Sequence, residues 1–256
     1  MGEDKLLAMR HAGRVNAAAI ELGFKYAIVG TSLKDIDEII GQYFATHKCV
    51  PIFKGYRGYP STCCLSLNDG MVHGIPSDYT LRTGDLLTID VGCSYNDWCM
   101  DSARTRVIGP GNFPFQERLI RATRAILDAE IAVIKEGCSL LEIAMAAEAK
   151  ALEYNAHICF AWGGHKIGRA LHEDPFIPNG IDRSLPTIKQ WALEREYAQY
   201  RLQAGDVICL EPVVTFGSTD HIVDNDGWTI RSQDGSLVAH EEDCLLVTDV
   251  GHEILS

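Results

Sequence analysis

Thr83–Thr105, TGDLLTIDVGCSYNDWCMDSART, decides the fold. An apolar run, Leu86 to Val91, carries a single acid, Asp90, and the polar turn Ser94-Tyr95-Asn96-Asp97 follows it. The chain then returns through Trp98, Cys99 and Met100 to a second acid, Asp101. An antiparallel hairpin centred between Tyr95 and Asn96 sets Asp90 directly opposite Asp101, with Cβ atoms about 4.5–5.5 Å apart on one face. Two carboxylates on an apolar sheet face repel each other, and burial penalises both. They could be a pair of exposed hairpin acids. A cation between them accounts for both charges, and hard divalent cations prefer oxygen ligands.

The flanking sequence reads as a unit that occurs twice. Glu3 to Gly23 has helical spacing at Ala12, Val15, Ala19 and Leu22. Ser32 with Asp35 makes a capping-box start for a second helix to about His47. Residues 50–80, rich in Gly, Pro and Tyr, read as loops around one short strand, Cys63–Leu67. Beyond the hairpin, Phe115–Glu136 is helical, Gly137 stops it, and Ser139 with Glu142 caps a helix through Tyr154. GTSLKDI at Gly30 is answered by GCSLLEI at Gly137, an offset of 107 residues. LRTGDLLTID, ending at Asp90, is answered by LQAGDVICLE, ending at Glu211, an offset of 121. The difference requires an insertion, and polar Ile181–Tyr200, which has no counterpart, supplies it. The expectation is one α/β domain over residues 1–256. Its halves are roughly 1–108 and 109–256, each a helix–helix–strand unit with a strand acid in an equivalent place.

Composition bounds the rest. The 256 residues are 46% apolar and 23% charged, ordinary for a soluble globular protein. A net charge of −12 argues against a nucleic-acid or anionic-membrane partner. The start, MGEDKLLAMRHAG, shows no apolar signal core, and Leu6 spoils a myristoylation signal at Gly2. No apolar run approaches the roughly 18 residues of a membrane span. Nine cysteines without a CxxC pair fit reduced thiols in the cytoplasm.

Three more residues join the two aspartates. Glu211 is an acid inside the apolar strand VICLEPVV, where an unpaired Glu is rarely tolerated. Glu242 in AHEEDCLLVT begins the last strand, with Glu241 facing the other way; alone, the run Glu241-Glu242-Asp243 reads as a solvated cluster. His165 in FAWGGHKIGRALHEDP is flanked by glycines that let backbone approach a ligand. A lone His is more often a satisfied polar residue than a ligand, so the case rests on the set. Two aspartates, two glutamates and one imidazole, with no thiolate, suit Mn, Fe, Co or Zn, or Mg at the oxygen-rich end. Four carboxylates exceed the need of one ion, whereas a pair of ions uses them all.

The motifs GYRGYP, NDGMVHGIP, IDVG…DSART, GGHKIGRALHEDP, LEP and the Glu of AHEED together resemble the type I methionine aminopeptidases, of the pita-bread fold, over nearly the whole chain. The resemblance implies two pseudo-twofold halves around a curved antiparallel sheet, in agreement with the repeat. It implies Asp90, Asp101, His165, Glu211 and Glu242 as ligands of two divalent ions of the Co, Mn, Fe, Zn or Ni class. His73 and His172 become substrate-contacting histidines, and Tyr56, Tyr59, Cys64 and Trp228 line a pocket for a methionine side chain. Glu211 would move the proton, His172 would stabilise an oxyanion, and His73 would hold the next peptide nitrogen. The implied substrate is a polypeptide N-terminus with a small second residue. A cytoplasmic monomer without nucleic-acid or membrane contact fits this, and so does work on nascent chains near the ribosome.

Several positions depart from the family pattern. GHKIG replaces the usual GHGIG, putting Lys166 beside a ligand; Lys166 is expected either to crowd the entrance or to pair with Asp243 or Glu241. Leu171 stands where a bulky aromatic is common, Phe53 where a small residue is, Asp243 where His or a neutral residue is, and Arg57 where a smaller or neutral residue is. The alternatives are a paralogue of altered specificity, a proline-specific pita-bread peptidase, or a non-catalytic peptide-binding relative. The proline-specific peptidases carry an additional N-terminal domain, and only about 90 residues precede Asp90. The intact ligand set argues against the binder.

Overall fold

The computed structural model describes residues 3–256, so the reading of Met1-Gly2 lies outside the described residues. The first half opens with helices α1 (Glu3–Tyr26) and α2 (Leu33–Thr46), the second with α3 (Pro114–Ala132) and α4 (Leu140–Tyr154). Both second helices start the same way. Ser32 and Ser139 sit in extended backbone, φ −81° and −87°, each hydroxyl accepting from the amide three residues on. Asp35 and Glu142 reach back to the cap amide and complete both boxes, which satisfies amides that a helix start leaves orphaned. α3 ends at Ala132, four residues short of the expected Glu136; a tight turn takes the chain on to Gly137, whose φ of 80° suits glycine.

Strands Leu86–Tyr95 and Trp98–Val107 form the long hairpin, and α1 packs across both. Tyr95 pairs with Trp98, so the turn is Asn96-Asp97, both left-handed at φ 50° and 61°. The hairpin is centred one residue later than expected. Asp101 therefore pairs with Gly92, and Asp90 with Ala103. The two acids are diagonal rather than directly opposed, but a shift of two in the pairing preserves the face. Cys63–Leu67 and Val50–Pro51 lie along the other edge of Leu86–Tyr95. The 50–80 region also holds Gly70–Val72 and a short 3₁₀ turn at Tyr56–Gly58, more structure than loops around one strand.

In the second half, a five-stranded antiparallel sheet runs in the order His252–Ile254, Asp243–Val247, Val207–Leu210, Gly164–Lys166, Glu173–Ile177. Val213–Thr215 belongs to a different sheet, between Val238–His240 and His157–Ile158. Glu211 is thus not inside a strand. It sits with Pro212 at the break between two sheets, and Pro212 has no amide to continue a ladder. Glu242 precedes Asp243–Val247, which is not the last strand, and forms an isolated bridge to Ala103 that joins the hairpin to the second half. The 181–200 segment carries helix α5 (Thr187–Gln199), which lies against α4, with Arg183 pairing Glu148 and Glu194. Among the described residues no helix is long and apolar enough to cross a membrane.

Candidate functional site

The hairpin face and the sheet break meet at a cleft of about 460 Å³. Asp90, Asp101, His165, Glu211 and Glu242 line its floor, with His73 and His172 beside them and Tyr56, Tyr59, Cys64 and Trp228 on its walls. All eleven residues singled out from the sequence reach this one cavity. Asp90, Asp101 and Glu242 each place a carboxylate oxygen within 4.8 Å of the other two. Asp101 Oδ1, Asp90 Oδ1 and Glu242 Oε1 are buried without a hydrogen-bond partner. Burial pushes Asp90 up to about 7. Burial, then mutual repulsion, pushes Asp101, Glu211 and Glu242 well above the carboxylate range. Buried polar atoms are normally paired, so a converging set without partners is a fit for cations.

His165 is prepared for ligation. Its Nδ1 lies 3.0 Å from the Lys166 carbonyl, to which it donates, leaving Nε2 with a free lone pair 3.7 Å from Glu211 Oε1. Burial, then the adjacent His172 imidazole, pulls its pKa down to about 4, so the ring is neutral near neutrality. The flanking glycines serve backbone packing rather than a ligand: a Cβ on Gly164 would stand 2.0 Å from the Cys209 carbonyl of the neighbouring strand. His172 Nδ1 lies 2.8 Å from the Tyr56 hydroxyl; with that hydroxyl donating, Nε2 carries the proton. Burial, then nearby Arg57, keeps His172 neutral by lowering its pKa. His73 has left-handed backbone, φ 58°, and packs edge-on to Trp228, which also meets Tyr59 edge-on. The Tyr59 hydroxyl donates to the Cys63 and Gly74 carbonyls, so it offers the cavity a ring wall.

Other sequence expectations fail. Glu241, Glu242 and Asp243 are all at most 3% exposed, not a solvated cluster. Arg104 explains the burial: its guanidinium donates to the Glu242 carbonyl and the Asp243 carboxylate, and Arg124 binds Asp243 at 2.8 Å. Asp243 is therefore taken, and Lys166 instead reaches Asp206 at 2.6 Å. Strand alternation explains this, because Lys166 faces away from the side that His165 presents. Phe53 and Leu171, by contrast, do line the cleft, as does Arg57. Phe53 lies across Gly92, whose missing Cβ makes room for its ring.

Three residues escaped the sequence reading. Cys209 pairs with His165 across the strands, and its sulfur lies within 4.8 Å of His165 and Glu242 ligand atoms. A sulfur is thus near the centre, although burial raises its pKa and keeps it a thiol. His240 lines the cleft with a buried, unpartnered Nε2. Glu130 on α3 is fully buried, both oxygens unpartnered. An acid on an otherwise apolar helix face was the available signal for Glu130. His240 and Cys209 carried none, since a His before a run of acids and a Cys in an apolar strand are ordinary.

Comparison with known proteins agrees with this geometry. The chain is 39% identical to methionine aminopeptidase 1 of Mycobacterium tuberculosis, covering 98% of this chain and 92% of that one. It is 35% identical to a methionine aminopeptidase of Mycoplasma capricolum, over 99% and 96%. The crystal structure of methionine aminopeptidase from Thermotoga maritima superposes with a TM-score of 0.90 at 31% identity, over 100% of this chain and 97% of that one. The fold is therefore the pita-bread arrangement of those enzymes. The profile of metallopeptidase family M24 matches residues 7–249, and the chain belongs to that family.

Proposed function

We propose that this chain is a metal-dependent aminopeptidase that removes N-terminal methionine from polypeptides with a small second residue. The observation that carries this reading is the set of buried, unpartnered carboxylate oxygens of Asp90, Asp101 and Glu242 at the floor of an aromatic-walled cleft. Asp90 and Asp101 on one side, and His165 and Glu211 on the other, would hold two divalent ions of the Co, Mn, Fe, Zn or Ni class. Glu242 belongs with both groups, since it is close to the aspartates and to His165. When bound, such ions supply Lewis acidity and a water of lowered pKa.

The chain's own residues do the rest. The acid-rich floor attracts the free α-amine of a substrate on the Asp90 side, restricting cleavage to N-termini. Glu211 takes the proton from the attacking water and returns it to the leaving nitrogen. His172, neutral and donating from Nε2, faces the oxygen on which charge develops. His73 holds the peptide nitrogen beyond the bond. Tyr56, Tyr59, Cys64, Phe53 and Trp228 make an apolar slot that suits a thioether. We read the chain as one catalytic domain with related halves, a cytoplasmic monomer acting on peptide N-termini, nascent chains at the ribosome among them. All nine cysteines are free and buried, in keeping with a reducing compartment.

Three peptides presented to the Co(II)- or Mn(II)-loaded protein test the reading. Met-Ala-Ser releases methionine; N-acetyl-Met-Ala-Ser, lacking the free amine, does not; Xaa-Pro peptides are poor substrates. Preference for Xaa-Pro would place the chain among proline-specific enzymes instead.

A further inference from the structure

His240 ends the strand Val238–His240 and pairs with Val213, two residues beyond Glu211. Thr105 fixes it from the hairpin: the hydroxyl donates to the His240 carbonyl at 2.7 Å and accepts from its amide at 3.0 Å. The side chain is thereby aimed into the cleft at 2% exposure. Its Nε2 is buried without a hydrogen-bond partner and lies 3.6 Å from Glu211 Oε2.

His165 stands in the same relation to the other oxygen, with Nε2 3.7 Å from Glu211 Oε1. The Glu211 carboxylate is flanked by two imidazoles, one per oxygen. Both separations exceed a hydrogen bond, which for N–H···O ends at about 3.2 Å. They approach the spacing of two donors sharing one cation: ligands about 2.0–2.2 Å from a metal lie roughly 3–3.6 Å apart at octahedral to tetrahedral angles. Nε2 makes no hydrogen bond, and the carboxylate beside it is that of Glu211.

We propose that His240 Nε2 is a metal ligand of this centre, sharing a cation with Glu211 Oε2 and adding a second imidazole to the five residues already assigned. The inference rests on the metal-dependent reading for the presence of the ion. It also has a consequence of its own. Imidazole favours Zn, Fe, Co and Ni over Mg and Ca, so two imidazoles bias the centre toward those ions and away from the oxygen-loving ones.

X-ray absorption at the cobalt edge of the Co(II)-loaded full chain tests it by counting imidazoles through their outer-shell scattering. The wild type is expected to show two, and His240→Ala to lose one of them, as does His165→Ala. The apparent Kd for Co(II) in His240→Ala is expected to rise by at least about tenfold. His240→Gln, nearer in size, replaces the alanine variant if that chain does not fold, as judged by its metal-free melting curve. An unchanged imidazole count and Co(II) affinity in a folded His240 variant overturns the proposal. If the wild type cleaves Met-Ala-Ser but carries one imidazole, this inference fails while the aminopeptidase reading stands. If the wild type binds no Co(II), both fail.

Discussion

Asp101 has a carboxylate oxygen that is buried and unpartnered and a pKa driven far upward by burial and by Asp90. Such a group is costly in the metal-free protein and useful only when a cation neutralises it. Asp101→Asn keeps the shape and removes the charge; we expect metal affinity to fall and peptide hydrolysis to drop by orders of magnitude, measured as methionine release. An Asn variant with near wild-type turnover contradicts the assignment. Glu211→Gln separates two roles, because an amide oxygen can still ligate but cannot accept a proton. Its kcat should fall by roughly 10²–10⁴ while bound metal, read by elemental analysis, stays substantial. Glu130, on α3 within electrostatic reach of Glu211, offers a test that does not depend on activity. Burial holds its pKa well above 4.5 in the folded chain. From about pH 4.5 upward the unfolded chain releases this proton and the folded chain retains it, so wild-type stability declines as pH rises, by at most about 1.4 kcal/mol per pH unit. Glu130→Gln lacks that loss. Its Tm relative to wild type should climb between pH 5 and 8, and a flat difference would show that Glu130 is not buried as a neutral acid.

At the scale of elements, the strand Gly164–Lys166 faces two ways. His165 points to the cleft and Lys166 to Asp206, a pair in which Asp206 is 14% exposed. Lys166→Gly should therefore leave kcat/KM for Met-Ala peptides near wild type. Its cost is to stability, about 1–2 kcal/mol from the lost charge-assisted hydrogen bond, read by urea titration. A marked change in kcat/KM would return Lys166 to the cleft. This pair also shows where sequence reading stops. The capping boxes at Ser32 and Ser139, the strand Cys63–Leu67 and the acid hairpin are local patterns, and local patterns were legible. The partners of Lys166, Asp243 and Glu241 depend on which strands become neighbours. Arg104, 138 residues from Glu242, is brought to it only by the bridge between Ala103 and Glu242. The break at Glu211-Pro212 is likewise invisible in VICLEPVV, because an apolar run does not reveal a change of sheet. The hairpin's centre was missed by one position because Asn96-Asp97 takes the left-handed turn, yet the shared face survived since its period is two.

For the whole molecule, the proposed centre lies where residues 1–108 and 109–256 line one cleft. Asp90 and Asp101 come from the first half; His165, Glu211 and Glu242 come from the second, with Thr105 and Arg104 tying the two together through His240 and Glu242. Neither part alone would supply the proposed ligand set, so the proposed site requires the assembled fold. The five candidate ligands were readable as a set, since Asp90, Asp101, Glu211 and Glu242 are acids in or beside apolar runs. His240 and Cys209 were not, because their position beside Glu211 and His165 is a product of tertiary packing. The chain's net charge of −12 includes the four acids assigned to the metals, and divalent ions would offset them where they are most concentrated. Phe53 and Leu171 line the same cleft, so both departures from the expected pattern bear on what it accepts.

The most direct test of metal dependence is a titration of the metal-stripped protein with Co(II), reading methionine released from Met-Ala-Ser. We expect no release before the ion is added, recovery as it binds, and loss again with a chelator. Equal release from the stripped and the loaded protein, or none at any Co(II) concentration that fills the site, would contradict the account.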